Sequence, residues 1–291
     1  MRVIDSHVHL YPSDANLHPT DWGKLRGEER WVEMSTRIRK AGTPVQAFPS
    51  VKELLTEMDR AGVERAMLLG WYWQRASTCA EQNRFYAKCI RAHPDRLSAC
   101  ATIQIAEGTD AALAEMQVAQ NEGLIGLGEL SPHSQGYDLN GADFHRVLDE
   151  ANRFRWPVNL HVTDPISRDY PGRVDTPLED FVRVAQTFPD VMFILAHWGG
   201  LLPLRDPTAL NLENVHYDTA ASPLMYDATV WERFFAVVPK ERVLFGSDFP
   251  LNLFPKVERN AEMLRFLAEA EKMRAPAAVL RTNALRVFGL S

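Results

Sequence analysis

Six side chains in this sequence have the types and settings that metal chemistry needs. They are His7 and His9 in "VIDSHVHL", Glu129 in "LIGLGEL", His161 in "VNLHV", His197 in "FILAHWGG" and Asp248 in "LFGSDFP". If the first run is a strand, alternate residues point the same way. Asp5, His7 and His9 then share one face, and Ile4, Ser6 and Val8 share the other. Two imidazoles side by side make a poor core and a good start on a metal site. Each residue alone has a plainer reading. A strand-end His is commonly a hydrogen-bonded core or loop residue, an Asp before Phe-Pro a turn former, and a Glu after Gly a solvated side chain. All six behind apolar runs favour a shared role. Imidazole and carboxylate without thiolate suit Zn²⁺, and also Mn²⁺ or Fe²⁺. A ligand set that leaves one position open can lower the pKa of a bound water to about 7. In such chemistry Asp248 takes the water's proton and hands it to the leaving group.

The elements that must position these residues repeat along the chain. Short apolar runs such as "VERAMLLGW", "RLSACATIQ" and "VMFILAHWGG" alternate with amphipathic helical stretches, and counting the first run there are eight. That alternation is the mark of parallel βα units. Eight of them predict an α/β fold, a (β/α)8 TIM barrel, whose chemistry sits at the C-terminal ends of the strands. No Gly-x-Gly-x-x-Gly follows the first run, which disfavours a dinucleotide fold. "SVKELLTEMDRAG" reads as a helix, with Ser50 as N-cap, Glu53 in a capping box and Gly62 as the stop. Residues 11–49 lack clear periodicity and carry Trp22, Trp31 and Phe48, which predicts an ordered insertion or lid after the first strand. No linker divides the chain, so residues 1–291 are expected to form a single domain.

Composition narrows the partners. The chain has 291 residues, 46% of them hydrophobic and 24% charged, with a net charge of −6. An acidic balance argues against nucleic acid or an anionic membrane as partner. No apolar run is long enough to span a bilayer, and no signal-peptide core precedes the first strand. Cys79, Cys89 and Cys100 form no Cys-x-x-Cys and leave one unpaired, which predicts a reducing cytoplasm and no thiolate zinc site. A small-molecule substrate is the expected partner, and a homo-oligomer is left open.

Taken in order at strand ends, "DSHVHL", "NLHV", "LAHWGG" and "LFGSDFP" resemble the amidohydrolase superfamily. The likeness is greatest to its amidohydrolase-related branch, which includes aminocarboxymuconate-semialdehyde-decarboxylase-like proteins, and it spans essentially the whole chain. The resemblance implies a barrel with one or two divalent metals. It makes His7, His9, His161 and Asp248 ligands of the buried metal, and His197 either a second-metal ligand or an acid/base and substrate-orienting group. Binuclear members bridge two ions with a fourth-strand carboxylate, whereas the decarboxylases generally hold one. "GLGEL" looks like the bridging arrangement; the alternative is that Glu129 only orients a ligating His.

The leading expectation is a metal-dependent hydrolase of a small-molecule ester, lactone or amide. The alternative is a metal-dependent non-oxidative decarboxylase of a small carboxylic acid, and a third reading is a non-catalytic ligand-binding barrel. Trp71, Trp73, His133, Arg168 and Tyr226 are candidate substrate-binding residues, with Arg173 and Arg205 in the same set of loops. An arginine fork there would match a substrate carboxylate.

Overall fold

A computed structural model describes residues 2–257 and 260–290; residues 1, 258, 259 and 291 of the expected 1–291 domain lie outside the described residues. Among the described residues the apolar runs form eight parallel strands. These are β1 (Val3–Val8), β2 (Val63–Leu68), β3 (Leu97–Ala99), β4 (Leu127–Leu130), β5 (Val158–Leu160), β6 (Phe193–Leu195), β7 (Val215–Asp218) and β8 (Val243–Leu244). Ladders join β1-β2-β3 and β4 through β8 in sequence order. Parallel bridges between Ala101 and Leu127 and between Val8 and Phe249 close the two gaps. Bonds from Ser6 N to Phe245 O and from Asp248 N to His7 O, 2.8 and 2.9 Å, complete the seam between the first and last strands. The result is the expected (β/α)8 barrel.

Two apolar layers hold it together. Ile4, Met67, Cys100, Ile194 and Leu244 meet in one cluster, with Val287 and Phe288 packed against them. Residues contributed from around the ring can meet only inside it, so this cluster fills the barrel. A larger one joins Val3, Val8, Leu68, Val158 and Val243 to helix residues such as Leu54, Phe144 and Phe234. The strict alternation expected for β1 does not hold, because Ile4 belongs to the inner cluster and Val8 to the outer. The pairing of β1 with β2 shifts register between Val3 and Ile4 and again between Asp5 and Val8, and each irregularity re-aims the side chains that follow.

The capped helix forms as its sequence predicts, over Val51–Ala61. Ser50 Oγ accepts from Glu53 N, the Glu53 carboxylate accepts from Ser50 N, and Gly62 takes a left-handed φ of 72°. Between β1 and that helix the chain is ordered, with helices at Pro19–Arg26 and Glu29–Ser35. Tyr11, Trp22, Trp31 and Met34 from this segment pack with Trp71, Tyr72, Trp73, Leu251 and Leu253. Buried Glu28 ties it down by accepting from Gln74 N and Arg75 N at 2.6 and 3.1 Å. Cys79, Cys89 and Cys100 are unpaired and buried. Among the described residues no helix is long and apolar enough to cross a membrane.

Candidate metal centre

All six sequence-predicted chemical side chains meet at the C-terminal rim, delivered by the ends of five strands, β1 supplying both His7 and His9, and all are buried. His7 Nε2 and His9 Nε2 lie 3.2 Å apart, and Asp248 Oδ1 is 3.5 and 3.3 Å from them. The Glu129 carboxylate stands between two histidine pairs. Its Oε2 is 3.8 and 3.6 Å from His7 and His9 Nε2. Its Oε1 is 3.0 Å from His161 Nδ1 and 3.7 Å from His197 Nε2. Donor atoms of His7, His9 and Glu129 could hold one cation, and those of Glu129, His161 and His197 another.

The backbone after β6 and β8 is bent to present these groups. His197 and Asp248 have φ of 58° and 68°, a region that side-chain-bearing residues seldom adopt away from functional sites. The turn after His197 runs left-handed through Gly199, where a Cβ would lie 2.7 Å from the Tyr217 ring. Glycine there allows the backbone to press against β7.

Hydrogen bonds on the far side of three imidazoles fix which nitrogen faces the centre. Nδ1 of His7 meets Asp218 Oδ2 at 2.9 Å, Nδ1 of His9 meets Leu69 O at 3.0 Å, and Nδ1 of His197 meets Ala220 O at 3.1 Å. These acceptors require Nδ1–H, which leaves each Nε2 as a lone pair pointing inward, as metal-ligating histidines commonly do. His161 differs: its Nδ1 faces the centre and its Nε2 lies 3.3 Å from Thr163 Oγ1. Both oxygens of Asp248 are buried without a hydrogen-bond partner. Burial of carboxylates is costly unless a positive charge compensates. With no cation counted, Asp218, Glu129 and Asp248 push the His7 imidazole up to about 10 against the effect of burial, so a proton on Nε2 stands where a bound cation would take the lone pair. Burial opposes ionisation of Glu129 as well, but His161 and His7 hold it well below the usual carboxylate range. Inward lone pairs, an orphaned carboxylate and net negative charge fit a divalent cation.

The expected substrate-binding residues divide. Trp71 lies against the centre, its ring 5.2 Å from that of His9, and stacks on Tyr72 at 4.5 Å. Trp73 is fully buried and donates to Gln82, so it packs its loop onto the barrel. His133 bonds Asp180 at 3.0 Å and is not among the groups around the centre. Tyr226 and Arg205 both donate to Asp164, at 2.9 and 2.8 Å, and line a cavity of about 330 Å³ with exposed Arg168. Arg173 pairs with Asp175. Sequence reasoning missed Asp218, which ends β7 and braces both His7 and His197, and Tyr72, whose ring lies 5.2 Å from His161. The Asp in "VHYDTA" carried the available signal, a carboxylate closing an apolar run like the other rim residues.

Comparison with known proteins agrees with this architecture. A family model described as amidohydrolase matches residues 4–290, and the chain belongs to that family of enzymes. No curated protein matches it. Its fold is similar to that of 5-carboxyvanillate decarboxylase from Sphingomonas paucimobilis, at 18% identity over 100% of this chain and 99% of that one, TM-score 0.73. A 2,6-dihydroxybenzoate decarboxylase from Rhizobium gives 18%, 100% and 99%, TM-score 0.69. A probable 2-pyrone-4,6-dicarboxylic acid hydrolase from Acinetobacter baumannii gives 15%, 99% and 100%, TM-score 0.63. At these identities the likeness speaks for the fold.

Proposed function

We propose that this chain is a metal-dependent hydrolase of a small-molecule ester, lactone or amide. The observation that carries the reading is the placement of Glu129, which turns one carboxylate oxygen to each histidine pair. In this reading His7, His9, Asp248 and Glu129 would hold one divalent ion, Zn²⁺ being the best match, and Glu129, His161 and His197 would hold a second. Bound there, divalent ions supply an acidified water and polarise the substrate carbonyl. The rest belongs to the protein. Asp248, with no hydrogen bond to either oxygen, is free to accept the proton of the attacking water and return it to the leaving oxygen or nitrogen. Asp218 keeps the His7 imidazole and the His197 backbone in place during that transfer. Trp71 and Tyr72 set aromatic rings against His9 and His161 beside the centre.

A second reading, a non-oxidative decarboxylase with one ion, draws support from the 3.0 Å contact between Glu129 and His161. There Glu129 orients that imidazole and His197 becomes the acid/base, and two of the structurally similar proteins are decarboxylases. A panel of esters, lactones, amides and aromatic acids separates the two readings. The hydrolase reading predicts chelator-sensitive acid release without carbon dioxide. Carbon dioxide release without hydrolysis of any ester, lactone or amide overturns it.

A further inference from the structure

The cavity of about 330 Å³ that Tyr226 and Arg205 line is built on the loops that leave β5, β6 and β7. Asp164 in its wall follows His161 by three residues, and Leu201 follows His197 by four. Three residues span at most about 11 Å, so this wall stands a short way from the centre. Its polar part is basic, in a chain whose net charge is −6. Arg168, Arg205 and Arg233 line it against one acid among the described residues, Asp164. Arg233, on the helix Thr229–Phe235, was not among the residues expected from the sequence.

Asp164 is 1% exposed and its carboxylate is already used as a scaffold. Oδ1 accepts from Arg205 Nη2 at 2.8 Å and from Ile166 N at 3.0 Å, and Oδ2 accepts from the Tyr226 hydroxyl at 2.9 Å. Arg205 Nε donates to Gly200 O at 3.2 Å, which fixes that guanidinium. Arg168 and Arg233 make no ion pair among the described residues. Asp227 feels the charge of Arg233, but its Oδ1 is held by the backbone and hydroxyl of Thr229. Guanidinium groups that share a cavity repel one another, and an anion between them removes that cost. Their planar forks match a carboxylate. The amides of Ile166 and Ser167 are both spent on Asp164, so the wall lacks the free backbone N–H groups that commonly cradle phosphate. Leu201, Leu204 and Met225 supply an apolar side for the body of a ligand.

We propose that this cavity is a carboxylate subsite of the active site, with Arg168, Arg205 and Arg233 supplying the charge. The substrate then carries a carboxylate apart from the bond that reacts. The inference rests on the proposed active site for its purpose and adds the substrate class.

Benzoate and benzamide have nearly the same shape and differ in charge, so their binding to the metal-loaded protein, by calorimetry, reads the subsite without turnover. The wild type is expected to bind benzoate about tenfold tighter or more, and added salt should erode that preference. Arg168→Gln and Arg233→Gln are each expected to cut it by about threefold, and the double variant to abolish it. Both side chains are exposed, so the melting midpoint should hold. Chelation should leave the preference in place, since the emptied centre is acidic; its loss would assign the carboxylate to the metal and overturn the subsite. With Mn²⁺ loaded in place of Zn²⁺, the protons of bound benzoate should relax faster. Equal relaxation with both ions would put the cavity out of reach of the centre and overturn its part in the active site. Equal binding of the two probes also overturns the proposal, as does a preference that survives the double substitution. Inorganic phosphate that binds tighter than benzoate, with the same dependence on the arginines, would assign the cavity to a phosphate group instead. Should the enzyme release carbon dioxide in place of acid, the hydrolase reading fails while the benzoate result stands or falls by itself.

Discussion

Asp218 reaches two ligand-bearing elements at once. One oxygen meets His7 Nδ1 and Asn159 Nδ2, and the other accepts from the backbone of His197 and Ala220. Asp218→Asn keeps the shape but removes the charge that orients His7. Carboxylates that brace ligating histidines typically contribute roughly ten- to hundredfold in metal affinity, and a loss of that size is expected in chelator competition, with far-ultraviolet dichroism staying native. His7→Ala and Asp248→Asn are expected to abolish turnover while far-ultraviolet dichroism stays native, because both residues sit at the rim and outside the inner apolar cluster. Another residue sets a pH limit on the fold. Burial, with Arg286 and Arg242 close by, pushes the His216 imidazole down to about 4. The unfolded chain takes up this proton near the ordinary value of about 6.5, so folding stability is full above that pH and is lost as pH falls toward 4. The shift corresponds to a loss on the order of 3 kcal/mol. Urea unfolding at about pH 7 and about pH 4 should show His216→Gln losing less stability than the wild type by that order. Equal losses would contradict it.

At the scale of elements, the segment between β1 and the capped helix depends on a few distant anchors. Glu28→Ala leaves the Gln74 and Arg75 amides without their acceptor, a cost on the order of 2 kcal/mol. The segment should then be cleaved faster by protease at low dose than in the wild type, while the barrel resists; unchanged cleavage would show that the aromatic cluster alone holds it. This dependence on distant anchors also explains what could be read from the sequence. The helix Val51–Ala61 was legible to its caps because its signals, Ser50, Glu53 and Gly62, are local. The helices at Pro19–Arg26 and Glu29–Ser35 were not. Neither has a side-chain cap, and their order comes from Trp71, Trp73 and Leu251 far along the chain. The same distinction holds in the centre. The six rim residues announce themselves by type behind apolar runs, whereas the brace from Asp218 to His7 spans 211 positions and no spacing rule reports it. The inner and outer placement of Ile4 and Val8 was misread for a related reason, since the register shifts that part them arise from pairing with β2.

For the whole molecule, the barrel draws buried carboxylates from several strands onto one rim, a convergence that the parallel βα pattern of the sequence already implies. Such a concentration of negative charge opposes folding unless a cation joins it. An ion that binds only the folded state adds stability that grows with the logarithm of its concentration over its dissociation constant. Chelation is therefore expected to lower the melting midpoint by several degrees, with recovery on return of Zn²⁺. The central claim is that Glu129 joins two ion sites, and the most direct measurement is the number of ions per chain, by elemental analysis of wild type and Glu129→Gln after growth in several metals. The account predicts close to two ions in the wild type and one or fewer in the variant. One ion in both would contradict the bridge and leave Glu129 as a brace for His161, and no tightly held ion in any preparation would contradict the metal centre itself.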